Sequence, residues 1–211
     1  MTEDGKHSKI FDSLPPYYQR EIFLGHELIA RLLDYAIDNQ SRFETSTVGI
    51  TDKIRVNPDW RVSSILWDFG VLKPELKACF KRIFPDAMQH LKQSAFELCK
   101  TELELVSHGN GAFYNTHIDT AIDKKEDSVR VLTAVYYFHA EPKSFTGGNI
   151  RLLPIRNSSD EENYIDIEPC NDRLLIFPSW VPHRVMPVHS DSTDFRDSRF
   201  AINCWYRKKK T

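Results

Sequence analysis

From residue 100 onward the chain is a series of short apolar runs, each closed by glycine, proline, asparagine or aspartate. The runs are rich in Val, Ile, Phe and Tyr, the residues that pack well on a pleated surface. This texture predicts strands at 101–107, 113–118, 129–139, 149–153, 164–168, 173–177, 184–188 and 199–206. So many short strands in about a hundred residues predict a sandwich, barrel or jelly roll, not a parallel α/β sheet. The 129–138 run is apolar on both faces, which predicts a central strand covered on each side.

The first hundred residues read differently. Residues 1–15 form a polar arm. Over 17–40, Ile22, Leu28, Ile29, Leu32, Leu33, Ala36 and Ile37 recur at three- and four-residue steps, which predicts an amphipathic helix. Residues 44–60 are polar, hold the turn signal Asn57-Pro58-Asp59, and read as a loop with room for short strands. A second helical region is expected over 74–98, with Pro74 suited to a first helical position and Pro85 breaking or kinking it. The expected fold is mainly β with supporting helices: one domain over 1–211, with a helical support region at 1–99 and a β core at 100–206.

Composition excludes several function classes. A hydrophobic fraction of 41% with 12% aromatics is ample for a core. A net charge of −2 gives no electrostatic case for nucleic acid or an anionic membrane surface. No apolar run approaches the ~20 residues of a membrane-spanning helix, and the first residues hold no apolar signal-like core. Cys79, Cys99, Cys170 and Cys204 match no zinc spacing and read as reduced, mostly buried thiols of a cytoplasmic protein. In that compartment Asn157-Ser158-Ser159 is an ordinary polar loop, and Arg207 to Lys210 is a solvated basic tail.

The chemistry concentrates downstream of Gly109-Asn110-Gly111. His117 and Asp119 stand two positions apart, so a strand would turn both to one face. His183 follows the strand 173–177 and a turn through Pro178 and Pro182. Two histidines and a carboxylate occupy one face of an octahedral ion and leave three positions open, the pattern of non-haem Fe(II) oxygenases. A structural zinc site would use four closed ligands, usually with thiolates, and no cysteine is placed to help. In the last strand, alternation puts Arg199, Ala201, Asn203 and Trp205 on one face. A buried arginine needs an anion, either an internal acid or the carboxylate of a ligand. Tyr137 in a core strand reads by itself as packing, and its hydroxyl is a candidate to share that carboxylate. Gly147-Gly148 reads as a hairpin turn.

The ordered series Gly109-Asn110-Gly111, Tyr114, His117-x-Asp119, Tyr136-Tyr137, Gly147-Gly148-x-Ile150-Arg151, Ile167-Glu168-Pro169, Asp172-Arg173-Leu174, His183-x-Val185-x-Pro187-Val188 and Arg199-x-Ala201-Ile202 resembles the Fe(II)- and 2-oxoglutarate-dependent oxygenases, in their prolyl 4-hydroxylase-like branch. The resemblance covers about residues 100–206. It implies a double-stranded β-helix, or jelly roll, with helices supporting one sheet. It implies Fe(II) on His117, Asp119 and His183, and the distal carboxylate of 2-oxoglutarate on Arg199 with Tyr137. Tyr114, Asn203 and Trp205 would line the same pocket. The co-substrates implied are 2-oxoglutarate and dioxygen, with ascorbate as a candidate reductant.

The activity implied is hydroxylation of an unactivated C–H bond of a prolyl or other residue in a peptide or protein. Halogenating relatives lack the carboxylate that Asp119 supplies, which favours hydroxylation. Two alternatives stand beside this reading: a hydroxylase of a free amino acid or small metabolite, and a cupin-like metal- or dicarboxylate-binding sensor without turnover. Two departures from the family pattern are present. The stretch between His183 and Arg199 is long, with Asp191, Asp194 and Asp197, and residues 17–98 match only in general character. The 120–128 and 189–198 loops are both expected at the barrel mouth. The other histidines, His7, His26, His90, His139 and His189, are expected at the surface or in local hydrogen bonds, while His108 stands apart because it precedes the Gly-Asn-Gly turn at the edge of the site.

Overall fold

The computed structural model describes residues 14–49, 55–120, 126–155 and 163–210. In chain order the elements are β1 (Tyr18–Arg20), α1 (His26–Asp38), β2 (Glu44–Thr45), β3 (Arg61–Val62), β4 (Ser64–Leu66) and α2 (Leu72–His90). There follow β5 (Lys100–His108), β6 (Phe113–His117), β7 (Ser128–Phe138), β8 (Thr146–Gly147), β9 (Ile150–Leu152) and β10 (Ile165–Ile167). The last are β11 (Leu174–Pro178), β12 (His183–Val185), β13 (Val188–His189) and β14 (Arg199–Lys209).

The strands form a jelly roll of two antiparallel sheets. The major sheet has the order β1-β11-β7-β14-β5-β4-β2, and the minor sheet β10-β9-β12-β6-β3, while β8 and β13 pair as a small ribbon. β7 and β14 run through the middle of the major sheet over long registers. Alternation sorts their side chains into two cores. Tyr136, Phe138, Phe200, Ile202 and Tyr206 face outward and pack with Leu32, Leu76, Phe80 and Ile83 of the two helices. Val135, Tyr137 and Ala201 face inward and meet Ile150, Leu152, Phe177 and Val181 between the sheets. The apolar run of β7 is therefore covered on both faces, as its composition predicts. Arg199, Asn203 and Trp205 share the inward face with Ala201, and the functional cavity opens there.

α1 starts without a side-chain cap of its own, at Gly25 with φ +82°. A distant residue supplies the cap. The Asp172 carboxylate accepts the Leu24 and Gly25 amides at 2.8 and 2.9 Å and the Tyr136 hydroxyl at 3.0 Å. One buried carboxylate thus fixes the start of α1 onto the major sheet.

Several expectations are corrected. The helix expected over 17–40 is shorter: residues 18–20 pair with β11 as an edge strand, and Ile22 is exposed outside the helix. The positive φ of Gly25 separates the two elements. The second helix stops at His90, just before Lys92 at φ +50°, and runs on through Pro85. Residues 14–99 are not purely helical, since β1, β2 and β4 extend the major sheet. Gly147-Gly148 is not a hairpin turn but a crossing between β8 and β9, which lie in different sheets. Of the thiols only Cys204 is buried; Cys79 and Cys170 are half-buried and Cys99 is exposed. The basic tail is only partly solvated: Arg207 is buried within β14 and paired with Glu102 and Glu126. Asn157-Ser158-Ser159 and residues 121–125 lie outside the described residues.

Candidate metal centre

β6 and β12 of the minor sheet build the centre. His183 pairs directly opposite His117, and Val185 opposite Tyr114. Between those pairs β12 has one residue and β6 has two, so β6 carries a bulge. The extra residue reverses the alternation and brings Tyr114 to the same side as His117. Their rings stack at 3.6 Å with an interplanar angle of 19°. Asp119 lies beyond the strand end rather than on the strand. Its amide and that of Thr120 both donate to Ser179 O, at 2.9 and 3.0 Å. That bend turns Ile118 outward and Asp119 inward, to 8% exposure.

The three side chains converge. Asp119 Oδ1 is 3.8 Å from His117 Nε2, and Oδ2 is 3.6 Å from His183 Nε2. One ligand atom from each lies within 4.8 Å of the other two. The hydrogen bonds behind them set the tautomers. His117 Nδ1 donates to Asn115 O at 2.8 Å, and His183 Nδ1 donates to Val181 O at 2.9 Å. A carbonyl can only accept, so both Nε2 lone pairs face Asp119 and the space between. Thr133 Oγ1 donates to Asp119 Oδ2 at 2.7 Å. Burial pushes the Asp119 carboxyl up, but His183, His117 and Arg130 outweigh it and hold it at about 2. Burial, then His183, push the His117 imidazole down to about 3. An ionised carboxylate beside a neutral imidazole is the ligating state, and the donor set fits a divalent iron ion.

A cavity of about 420 Å³ runs from this centre to Arg199. Arg199 is 1% exposed. Its Nε donates to Gly148 O at 2.8 Å and its Nη1 to His108 Nδ1 at 3.2 Å. Its Nη2 has no partner. Tyr137 lies 4.9 Å beneath the guanidinium, and its hydroxyl is also unpartnered. Burial pushes that hydroxyl up to about 12, against the pull of Arg199, so it remains a neutral donor. Among the described residues no acid pairs with Arg199, which removes the internal-acid alternative. A buried cation beside unused donors fits the carboxylate of a ligand. Gly148 makes room for it: a Cβ there would stand 2.7 Å from Arg199 Cδ.

Tyr114, Asn203 and Trp205 also line the cavity. Asn203 Nδ2 donates to Glu104 Oε1 at 2.7 Å. Trp205 lies beneath Arg130 at 3.7 Å, and its indole N–H faces the Asp119 side without completing a hydrogen bond. The sequence reading missed Arg61, Glu104, Arg130 and Thr133. Arg61 Nη2 stands 3.7 Å from Glu104 Oε1, and its guanidinium covers the Tyr114 ring at 4.7 Å. Glu104 was signalled, since it alternates with Leu103 and Leu105 on a strand whose other face is core. Arg61 carried no signal, because it falls in a two-residue strand beside a segment read as loop.

The 189–198 loop, expected at the barrel mouth, lines no part of this cavity. Phe195 packs between Phe43 and Phe200, at 5.1 and 5.2 Å. Asp194 accepts from the Arg196 amide, and Asp197 from Ser144 and Ser192. Asp194 thus closes a turn of the loop, and Asp197 joins the loop's Ser192 to Ser144 outside it.

The family model described as the 2OG-Fe(II) oxygenase superfamily matches residues 103–207, which contain the metal centre and Arg199. A PKHD-type hydroxylase of Synechocystis, itself uncharacterised, is 32% identical over 199 residues, covering 92% of this chain. The chain spans 63% of that relative's length. Among solved structures, a prolyl-4-hydroxylase of Pseudomonas putida superposes with a TM-score of 0.66 at 22% identity, covering 93% of this chain and 94% of that one. A prolyl hydroxylase of Trichoplax adhaerens, solved with a hypoxia inducible factor peptide, gives 0.67 at 25% identity, covering 90% and 82%. The family's metal and co-substrates are Fe(II), 2-oxoglutarate and dioxygen, which the donor sets above fit. The chain belongs to the 2OG-Fe(II) oxygenase superfamily, in its prolyl 4-hydroxylase-like branch.

Proposed function

We propose that this chain is an Fe(II)- and 2-oxoglutarate-dependent hydroxylase of a prolyl or other residue in a peptide or protein. The observation that carries the reading is one cavity joining the His117, Asp119 and His183 centre to the unpaired donors around Arg199. His117, Asp119 and His183 hold the metal. Arg199 and Tyr137 hold the distal carboxylate of 2-oxoglutarate, and Tyr114, Asn203 and Trp205 shape the walls. When bound, iron supplies dioxygen activation coupled to decarboxylation of 2-oxoglutarate, giving succinate, carbon dioxide and a hydroxylated product. The protein's part is placement. Thr133 orients Asp119, the two backbone carbonyls orient the imidazoles, and the closed Arg199 end excludes water.

The peptide reading is supported by the peptide bound to the Trichoplax relative and by the cavity's reach to Glu44, Thr45 and half-exposed Trp67. The free amino acid or small-metabolite reading has its own support in the Arg61–Glu104 pair, which suits a small zwitterion. One domain and a cytoplasmic location belong to the same proposal. The shared core of helices and major sheet supports the first, and four free thiols support the second. No helix among the described residues is long and apolar enough to cross a membrane.

The test is succinate release and mass spectrometry with Fe(II), 2-oxoglutarate and two libraries, prolyl peptides and free amino acids. Peptides gaining one oxygen with matched succinate support the proposal. Turnover with amino acids alone would replace it by the second reading. Binding without turnover on either library would leave the sensor.

A further inference from the structure

Arg199 is buried, and among the described residues no acid meets its charge. Its Nε donates to Gly148 O at 2.8 Å and its Nη1 to His108 Nδ1 at 3.2 Å, while Nη2 has no partner. The histidine stands directly across the sheet: His108 on β5 is the register partner of Arg199 on β14. Both side chains therefore point to the same inward face, and both line the cavity.

Both partners of the guanidinium are neutral acceptors. A guanidinium has no acceptor of its own, so His108 Nδ1 must accept. The ring proton then sits on Nε2, which turns away from the guanidinium and takes no part in the hold. The ring is uncharged, because burial, then Arg199 and Arg61, hold its pKa well below the ordinary histidine value. Gly148 O and His108 Nδ1 fix two of the three guanidinium nitrogens, and the planar fork then sets the direction of Nη2. A carboxylate in place of the imidazole would fix the same nitrogen but would also neutralise the cation. The neutral ring gives direction and leaves the charge for a ligand.

We infer that His108 is a positioning residue for Arg199: through Nδ1 it aims the guanidinium at the distal carboxylate of 2-oxoglutarate without spending the charge that binds it. His108 acts through the arginine and has no contact of its own with the ligand. A 2-oxoacid without the distal carboxylate gains nothing from an aimed Arg199, so His108 contributes to the selection of a dicarboxylate. This inference rests on the proposed 2-oxoglutarate dependence.

The test uses the full chain loaded with Zn(II), which binds the same ligand set without redox turnover. Calorimetry measures 2-oxoglutarate and 2-oxobutyrate binding to wild type, His108→Asn, His108→Leu and His108→Asp. The first substitution puts an amide oxygen where Nδ1 stands, the second removes the acceptor, and the third keeps an acceptor but adds a charge. Expected are a preference for 2-oxoglutarate in wild type and a loss of about tenfold of 2-oxoglutarate affinity in His108→Leu. His108→Asn retains most of the affinity, and His108→Asp loses about tenfold or more because its carboxylate takes the charge of Arg199. Binding of 2-oxobutyrate is unchanged throughout, which also shows that the variants are folded. A loss in His108→Leu that 2-oxobutyrate shares, or that His108→Asn does not avoid, would mark a merely structural role and overturn the inference. Wild-type affinity for 2-oxoglutarate in His108→Leu or in His108→Asp would overturn it as well, and each of these results leaves the proposed function standing. A wild type that does not prefer 2-oxoglutarate to 2-oxobutyrate would overturn both.

Discussion

At Gly148 the backbone takes φ +67°, and an added Cβ would stand 2.7 Å from Arg199 Cδ and 3.0 Å from Val188 Cγ2. Gly148→Ala therefore strains the backbone by about 1–2 kcal/mol and displaces the arginine. The account predicts a fall in 2-oxoglutarate affinity of about tenfold with metal binding kept, checked by calorimetry on Zn(II)-loaded protein. Unchanged affinity would mean that the arginine has slack the structure does not show. Thr133 makes the complementary case on the metal side. Its hydroxyl donates to Asp119 Oδ2 and is bonded to Ser179 Oγ. Thr133→Val keeps the shape and removes that support, so Zn(II) affinity should fall about tenfold to a hundredfold. At this scale His117, Asp119, His183 and Arg199 are legible from type and spacing, because metal ligands and buried cations tolerate few substitutes. Thr133 and Arg61 are not, because a threonine in a strand and an arginine beside a loop are ordinary until their neighbours are known.

Strand phase is the property that carries across the elements. Arg199 rather than Arg196 lies in phase with the alternation of β14, and the structure turns Arg199 inward while Arg196 stays exposed in a short helical turn. Phase also explains a gap in the reading. Strict alternation would put Tyr114 opposite His117, and only the β6 bulge brings them together. A bulge has no composition of its own here, so the stacked pair is invisible before folding. Helix limits fail for a similar reason: the apolar stripe before Gly25 is consistent with helix, but strand pairing with β11 claims residues 18–20. What anchors α1 is Asp172, almost 150 residues away. Asp172→Ala would orphan two backbone amides and the Tyr136 hydroxyl at once. The expected loss is about 2–4 kcal/mol of unfolding free energy, read from urea denaturation. A loss under about 0.5 kcal/mol would show that water replaces the carboxylate.

Across the whole molecule, burial of neutral histidines makes metal-free stability depend on pH. His108 is held well below its ordinary value, and His117 is pushed down to about 3. In the unfolded chain both titrate near the usual histidine pKa, about 6.5. As pH falls below that value the unfolded state takes up protons that the folded state does not, so stability is lost on acidification. Unfolding free energy of the metal-free protein should therefore drop from about pH 7 to about pH 5, and His108→Gln should make the slope shallower by about one proton. An unchanged slope would mean that His108 is protonated in the fold. The density of short strands makes a sandwich, barrel or jelly roll legible, and the family resemblance narrows these to the jelly roll, while the position of the 189–198 loop is not legible. Its acids suggest a solvated lid, and the Phe195 contacts that tie it to the core are long-range.

The most direct test of the central claim is an anaerobic titration of metal-free protein with Fe(II) and then 2-oxoglutarate. It is followed by the visible charge-transfer band of the chelated 2-oxoacid in wild type, His117→Ala and Arg199→Ala. The account predicts a band in wild type, no band in His117→Ala, and a weaker band requiring more 2-oxoglutarate in Arg199→Ala. A wild type that forms no band, or an Arg199→Ala protein that saturates like wild type, would contradict it.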